Sequence, residues 1–172
     1  NLVKHLRLEL SDLAVVTVSS CQNCEWQDFV VSGEHIGEAI RHSGRRVVLL
    51  ASGALSHKFN DIHWKPKNPR IFHESNVSRP ENVESDKQAI GLMAQGRHDL
   101  ILDRWDDDYR RKPWEAFGAH YLQMVGALGG RACRARGEAL SEYENARGTG
   151  NIHIWFDTQP HLNHPASQAG HG

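Results

Sequence analysis

The stretch "VVLLASGALSHKF", residues 47–59, places a histidine just beyond a run of aliphatic residues. Arg46 to Ala51 has the composition of a strand that is buried on both faces, which is typical of a parallel sheet covered by helices. In such sheets, ligands bind beyond the carboxyl ends of the strands. His57 lies just beyond this strand end, where an imidazole could exchange a proton with a bound ligand near neutral pH. The alternative for a single histidine at a strand end is a structural residue.

A carboxylate, Glu115, follows Pro113 and Trp114 at the predicted start of a helix that runs to the Gly129-Gly130 pair. In the first turn of a helix, the dipole favours the anionic carboxylate, which is the form that binds a metal ion. The residue pattern alone leaves two readings of Glu115 open, and one of them is a metal ligand. The alternative is that Glu115 complements the helix N-terminus and does nothing more.

The elements that must position these residues alternate between strands and helices. Leu13 to Ser19 is a short β-branched run that predicts a buried strand. Phe29 to His42 is predicted as a helix that ends at Gly44, and Arg46 to Ala51 as the next strand. A strand, a helix and a strand in one sheet imply a right-handed parallel crossover.

The rest of the chain adds helices and one more strand. Residues 58–81 predict a long loop, residues 83–95 and 98–109 predict helices, and residues 148–157 predict a final strand. The tail from residue 160 has the composition of a disordered segment. We therefore predict an α/β fold with a mainly parallel or mixed sheet flanked by helices, a helical C-terminal segment and a final strand.

Composition excludes several classes of partner. The chain has 172 residues and a formal net charge of −1, which fits one domain and gives no basic stripe for nucleic acid. It contains neither a signal-peptide core nor an apolar run that could span a bilayer, so we expect a cytoplasmic protein without a membrane partner. Cys21, Cys24 and Cys133 are an odd set without a second metal-ligand pair, and we expect reduced thiols. The expected partner is a small molecule.

Three stretches, "LLASGALSHKF", "PWEAFGAHYLQMVGALGG" and "GTGN", together resemble the C-terminal half of the class III extradiol ring-cleavage dioxygenases, of the catalytic B-subunit type. The likeness covers most of Leu13 to Asp157. The "GEAI" helix and the residues around His57 look closest to the 3,4-dihydroxyphenylacetate enzymes, whereas "GTGN" looks closest to the 2-aminophenol enzymes. The resemblance implies that residues 1–159 are the C-terminal part of a single such domain.

In that family, two histidines and one carboxylate hold a ferrous ion and leave positions open for the substrate and dioxygen. The resemblance matches Glu115 to the carboxylate and His57 to the acid/base histidine. The two histidine ligands belong to the family's N-terminal half, and no residue here is assigned to them. Ser56 and His120 are further candidates for the substrate pocket, although His120 would lie about 140° from Glu115 around a continuous helix.

The resemblance implies a non-haem Fe(II) extradiol dioxygenase of aromatic compound catabolism, which cleaves a catecholic or aminophenolic ring with both atoms of O2. It would act as a homo-oligomer or with a partner subunit, and this chain alone would be an incomplete, inactive fragment. One alternative is a non-catalytic subunit or metal-free paralogue of the same superfamily. Another is a small α/β protein that binds a ligand beside His57 without chemistry.

Overall fold

The structure, a computed structural model, describes residues 13–21 and 23–158. Within these residues the α-helices are α1 (Trp26–Ser43), α2 (Pro80–Ala94), α3 (His98–Asp103) and α4 (Ala119–Ala127). Turns of 3₁₀-helix span Glu74–Asn76, Glu115–Gly118 and Gly130–Ala132, and a π-helical turn spans Trp105–Tyr109. The strands are β1 (Arg136–Ala139), β2 (Glu144–Ala146), β3 (Thr149–Asn151) and β4 (Ile154–Asp157).

The strands pair near the C-terminal end of the described chain. β1 pairs with β4 in antiparallel register, with Gly137 opposite Phe156. β2 pairs with β3 through a hairpin whose turn residues, Arg147 and Gly148, have φ of 55° and 99°. Positive φ at both positions gives the twist that a two-residue hairpin requires. The described residues combine helices and strands, consistent with an α/β fold, but their strand pairs are antiparallel and include no parallel sheet.

The strands predicted at Leu13 to Ser19 and Arg46 to Ala51 do not form. Both stretches lack regular secondary structure, and their aliphatic side chains are exposed, with Val16 at 86% and Val48 at 68%. A β-branched run becomes a strand only when a neighbouring strand and a covering layer are present. The sheets of the described residues are built from residues 136–157. They provide no neighbouring strand and no covering layer for these two stretches.

The predicted helices are mostly confirmed, with shifted ends. α1 begins at Trp26 because Glu25 and Asp28 form a capping box, and it ends as predicted at Gly44, which has φ of 62°. α2 begins at Pro80, a favoured residue for the first helical turn. The helix predicted at 98–109 is α-helical only to Asp103 and then widens into the π-helical turn. No helix of the described ranges is long and apolar enough to cross a membrane.

The final strand predicted at residues 148–157 is present as β3 and β4, separated by Ile152 and His153. The loop predicted at residues 58–81 is confirmed, with the turn at Glu74–Asn76 inside it. The disordered tail predicted from residue 160 lies outside the described residues. The three cysteines are free thiols, as expected of a reduced protein.

The core centres on aromatic side chains that follow α3. Trp105 and Trp114 pack edge to face with ring centroids 5.5 Å apart, and Trp114 meets Tyr109 in the same way at 5.0 Å. Tyr121 of α4 contacts both tryptophan rings. Because buried aromatic pairs contribute beyond the area that they bury, this cluster anchors α4 and the segment around Trp114 to the rest of the core.

α1 and α4 approach closely along glycines. A Cβ atom at Gly33 would collide with the carbonyl oxygen of Gln123, and one at Gly37 would collide with that of Ala127. From the other side, a Cβ atom at Gly126 would collide with the carbonyl oxygen of Val30. These contacts are with backbone, which cannot rotate away as a side chain can. The close distance between α1 and α4 is therefore possible only because glycines, which lack a Cβ atom, lie at the contact.

Gly33→Ala should lower the free energy of unfolding by about 2 kcal/mol or more, because α1 must move away from α4 to admit the methyl group. The matched control is Gly91→Ala in α2, where an added Cβ meets no atom within 4 Å. That change should stabilise the chain by about 0.5–1 kcal/mol through helix propensity. Urea unfolding measures both, and equal effects at the two sites would contradict this packing.

His98, the first residue of α3, is fully buried. Its Nε2 lies 2.8 Å from the carbonyl oxygen of Ala135 and its Nδ1 lies 2.7 Å from the hydroxyl of Tyr121. A neutral ring satisfies both contacts when Nε2–H donates to the carbonyl and the tyrosine hydroxyl donates to Nδ1. Burial is the main cause that lowers the pKa of His98 below its ordinary value of 6.5.

The lowered pKa of His98 predicts a loss of stability in acid. Below about pH 6.5 the unfolded chain binds the proton more readily than the folded one, so unfolding becomes easier as the pH falls further. We expect the free energy of unfolding to decrease from pH 7.5 to pH 5.5 by a larger amount in the parent chain than in His98→Asn. Denaturant titrations at the two pH values give the free energy of unfolding of each chain. An equal decrease in the parent chain and in His98→Asn would contradict the prediction.

Candidate active site

The segments that carry His57 and Glu115 pair with each other. The backbone N–H of His57 donates to the carbonyl of Pro113 at 2.9 Å, and the N–H of Glu115 donates to the carbonyl of Leu55 at 3.0 Å. An antiparallel β-bridge between Ser56 and Trp114 lies between these two bonds. The chain therefore brings two candidates that lie far apart in sequence onto adjacent backbone segments.

Glu115 is half-buried, and its Oε2 accepts a hydrogen bond from the N–H of Ala54 at 2.8 Å. The predicted start of this helix at Pro113 is wrong, because α4 begins only at Ala119. Between them the backbone turns through Phe117, whose φ of 55° is left-handed. The charge of Glu115 is therefore met by a backbone N–H of the segment that leads to His57, and not by the dipole of an α-helix.

The turn before α4 holds an uncommon backbone conformation. Ala116, Phe117 and Gly118 have φ of 50°, 55° and 73° in succession. Left-handed φ is uncommon for residues other than glycine and persists where the surroundings impose it. Here the ring of Trp105 packs against Gly118 so closely that a Cβ atom there would collide with it. This contact explains why residue 118 is a glycine.

His120 contacts the same backbone segment as Glu115. The predicted separation of about 140° assumed one helix through both residues, and the left-handed turn removes that assumption. The half-buried ring of His120 packs on Gly53, where an added Cβ atom would lie 2.9 Å from His120 Cδ2. His120 and the carboxylate of Glu115 thus contact the adjacent residues Gly53 and Ala54.

His57 is half-buried, and its ring meets the ring of Phe59 edge to face with centroids 4.7 Å apart. Its Nδ1 is buried and has no hydrogen-bond partner among the described residues. A ring nitrogen without a protein partner can exchange a proton with a bound ligand. Nδ1 of His57 therefore makes no structural hydrogen bond within the described residues, and the acid/base role stays a prediction.

Ser56 takes a different place from the pocket position predicted for it. Its side chain is buried, and its hydroxyl donates to Oδ2 of Asp86 at 2.6 Å. Adjacent side chains of an extended segment point to opposite sides. Ser56 therefore contacts α2, and its contribution to the site is to fix the backbone that carries His57.

Asp86, which sequence reasoning missed, is the acceptor at the centre of this arrangement. Its carboxylate accepts from the backbone N–H of Ser56 at 3.1 Å and from the hydroxyl of Tyr143 at 2.7 Å, besides the Ser56 hydroxyl. Burial raises the pKa of Asp86, and the hydrogen bonds from Ser56 and Tyr143 lower it and thus oppose that effect. Burial likewise raises the pKa of Tyr143 and keeps its hydroxyl protonated as a donor.

The strand that carries the "GTGN" stretch joins the same network. The N–H of Leu55 donates to the carbonyl of Gly150 at 3.1 Å, and the N–H of Gly150 donates to the carbonyl of Ser56 at 3.1 Å. A Cβ atom at Gly150 would collide with Asp86 and Tyr143. The second glycine of "GTGN", Gly150, is thus explained by the space that the carboxylate of Asp86 and the phenol of Tyr143 occupy.

A signal for Asp86 is present in the sequence of α2. Asn82, Asp86, Ala89 and Met93 recur at spacings of four, three and four residues, which places them on one helical face. All four are buried. A carboxylate on the face that buries alanine and methionine needs several donors, and this mismatch could have marked Asp86 as the centre of a network.

Asp86→Ala should lower the free energy of unfolding by about 2–4 kcal/mol, because the donors on Ser56 and Tyr143 lose their acceptor inside the protein. The control is Asp107→Ala at an exposed position of the π-helical turn, which should change stability by less than about 0.5 kcal/mol. Chemical denaturation compares the two variants. An Asp86→Ala variant as stable as the control would refute the central role of this carboxylate.

Comparison with known proteins shows the family to which this chain belongs. The family model described as the catalytic LigB subunit of aromatic ring-opening dioxygenase matches residues 8–157. A stretch of 72 residues is 38% identical to the 2-aminophenol 1,6-dioxygenase beta subunit of Pseudomonas sp.. The stretch covers 42% of this chain and 23% of that relative, so the match spans less than a quarter of the relative's length. The family match confirms the predicted resemblance, and the chain belongs to the LigB family of aromatic ring-opening dioxygenase subunits.

Proposed function

We propose that this chain forms the C-terminal part of a non-haem Fe(II) extradiol dioxygenase, which opens a catecholic or aminophenolic ring and incorporates both atoms of O2. The observation that carries the proposal is the backbone pairing of the segments that hold His57 and Glu115. An acid/base imidazole and a metal-binding carboxylate must reach the same substrate, and this pairing puts them on neighbouring segments. The family match supports the same type of reaction.

The described residues fit part of an iron site. A facial ferrous site takes two imidazoles and one carboxylate. No group of three or more His, Cys, Asp or Glu within residues 13–21 and 23–158 is placed to hold a metal ion. Glu115 offers one carboxylate, and the N–H of Ala54 orients it through Oε2. We therefore assign Glu115 as the contribution of this part of the chain, with both imidazoles supplied from elsewhere in the assembled enzyme.

His57 is assigned to proton transfer. A ring hydroxyl of the substrate must lose its proton before both ring oxygens can bind a metal, and an imidazole accepts that proton near neutral pH. Its contact with Phe59 leaves Nδ1 without a bond to the described protein. The bonds from Ser56 to Asp86 hold the backbone of His57, which keeps the ring in place while the proton moves.

Because this assignment takes both imidazole ligands from elsewhere, the enzyme needs more than the part of the chain that the structure describes. The relative from Pseudomonas sp. is named as a beta subunit, which implies an enzyme of more than one kind of chain. We propose that this chain likewise acts in an oligomer or with a partner subunit. The substrates are a small aromatic compound and dioxygen, and the expected location is the cytoplasm.

In the assembled, iron-loaded enzyme, His57→Ala should lower the turnover of a catechol by about 10²- to 10⁴-fold and leave the iron content unchanged. Glu115→Gln should lower the iron content itself, because it removes a charged ligand. The matched control is His153→Ala at an exposed position before β4, which should alter neither quantity. Iron analysis and the absorbance of the ring-opened product measure the two effects. Loss of iron in His57→Ala in parallel with turnover would contradict the separation of roles.

A further inference from the structure

Two thiols lie close together in the turn that precedes α1. Cys21 and Cys24 are the cysteines of the stretch "CQNC", and both are exposed free thiols. The N–H of Cys24 donates to the carbonyl oxygen of Cys21 at 3.4 Å, which is the bond that closes a β-turn. Neither thiol is assigned a role in ring opening. The pair is therefore a cluster of nucleophilic groups outside the candidate active site.

The turn places the two residues at a separation that a disulfide can bridge. In a β-turn, the Cα atoms of the first and fourth residues are less than about 7 Å apart. Disulfides join cysteines whose Cα atoms are about 4.4–6.8 Å apart. The backbone bond between Cys21 and Cys24 is therefore compatible with a disulfide that forms without a large movement of the backbone.

Contacts on both sides of the turn restrain it. Before the turn, the hydroxyl of Ser20 donates to Oε1 of Gln123 in α4 at 2.9 Å. After the turn, Glu25 caps α1, and its N–H donates to Oδ2 of Asp28 at 2.9 Å. Groups that are already restrained lose less conformational entropy when they join. The arrangement therefore favours a bond between the two thiols over a bond from either thiol to another molecule.

The surroundings of the pair argue against a catalyst of disulfide transfer. Cysteines with that function have a lowered pKa, set by nearby cations or by a helix N-terminus. Here desolvation and the neighbouring Cys21 thiol raise the pKa of Cys24, and the charge of Asp28 adds to the effect. A smaller thiolate fraction slows exchange, and a thiol of high pKa is a poor leaving group. The pair therefore suits a disulfide that forms slowly and resists reduction.

We propose that Cys21 and Cys24 are a site of reversible disulfide formation, with a low-molecular-weight disulfide such as glutathione disulfide as the oxidant. One cysteine thiolate attacks the S–S bond of the oxidant, which gives a mixed disulfide and releases one small thiolate. The second cysteine attacks the protein sulfur of that mixed disulfide and releases the other small thiolate. Two protein thiols are thereby oxidised to one disulfide. The oxidant is reduced to two thiols, which take up the two protons.

The third thiol provides an internal comparison. Cys133 is 1% exposed and lies in the hydrophobic core, where burial raises its pKa. Buried thiols in apolar surroundings are inert, because an oxidant in solvent does not reach them. The folded chain should therefore be oxidised at Cys21 and Cys24 and not at Cys133. The inference goes beyond the proposed function and does not depend on it.

Peptide mass spectrometry tests the site without iron or turnover. The reduced chain is equilibrated with reduced and oxidised glutathione, its remaining thiols are alkylated in denaturant, and the peptides are mapped. The map should show a disulfide between Cys21 and Cys24, which dithiothreitol removes, and an alkylated Cys133. In Cys24→Ser, the mixed disulfide of Cys21 with glutathione should be at least about tenfold more abundant than in the parent, because no second thiol displaces it. Circular dichroism checks that the variant is folded.

The same equilibration in urea shows whether the folded turn holds the thiols together. The ratio of the Cys21–Cys24 disulfide to the mixed disulfides should fall by about tenfold in the unfolded chain. Equal ratios in the folded and unfolded chain would overturn the proposal. Free thiols at both positions in the folded chain, or disulfides that join two chains, would overturn it as well. If Cys24→Ser does not fold, the comparison of the parent with and without urea decides.

Discussion

The carboxylate of Asp86 is the interaction on which the arrangement of the candidate site depends. It accepts hydrogen bonds from Ser56 and Tyr143, and these two residues belong to segments that have no other reason to meet at α2. A buried carboxylate is costly unless donors surround it, so the same desolvation that raises its pKa makes each of these bonds hard to replace. The backbone of residues 55–57 is consequently fixed from α2 on one side and from β3 on the other.

Glu115 depends on a second constraint, which is steric. The ring of Trp105 occupies the space that a side chain at residue 118 would need, so only glycine fits there, and a left-handed turn separates Glu115 from α4. α4 is in turn held against α1 by glycine contacts that admit no Cβ atom. The carboxylate therefore reaches Ala54 because close packing elsewhere in the core positions the turn.

Sequence patterns could predict features that depend on local chemistry. Gly44 ends α1 as expected, and a family pattern assigns His57 and Glu115, whose roles stay predictions. Patterns failed where the outcome depends on contacts distant in sequence. The run at 13–19 is a strand by composition and not in the structure, since strand formation requires partners that no local pattern reveals.

The candidate site shows the same division. The helix through Glu115 looked continuous because Ala116 and Phe117 have ordinary helical side chains, yet both residues have left-handed φ, and the ring of Trp105 fills the space next to Gly118. Asp86 could have been recognised as a carboxylate on a buried face, but its donors could not, because Ser56 and Tyr143 lie 30 and 57 residues away. Hydrogen bonds between residues this far apart in sequence produce no repeating pattern from which they could be predicted.

These constraints hold residues 53–60 as one continuous segment, called the ribbon, whose residues make different contacts along its length. At one end, the N–H of Ala54 donates to the carboxylate of Glu115, and at the other, the N–H of Asn60 donates to the carbonyl of Arg147. His57 lies between the two ends, where Asp86 fixes the backbone through Ser56. A shift of the ribbon along its own direction would move the imidazole relative to both ends at once. Asp86 therefore couples the position of the His57 imidazole to that of the Glu115 carboxylate, through the backbone segment that both residues contact.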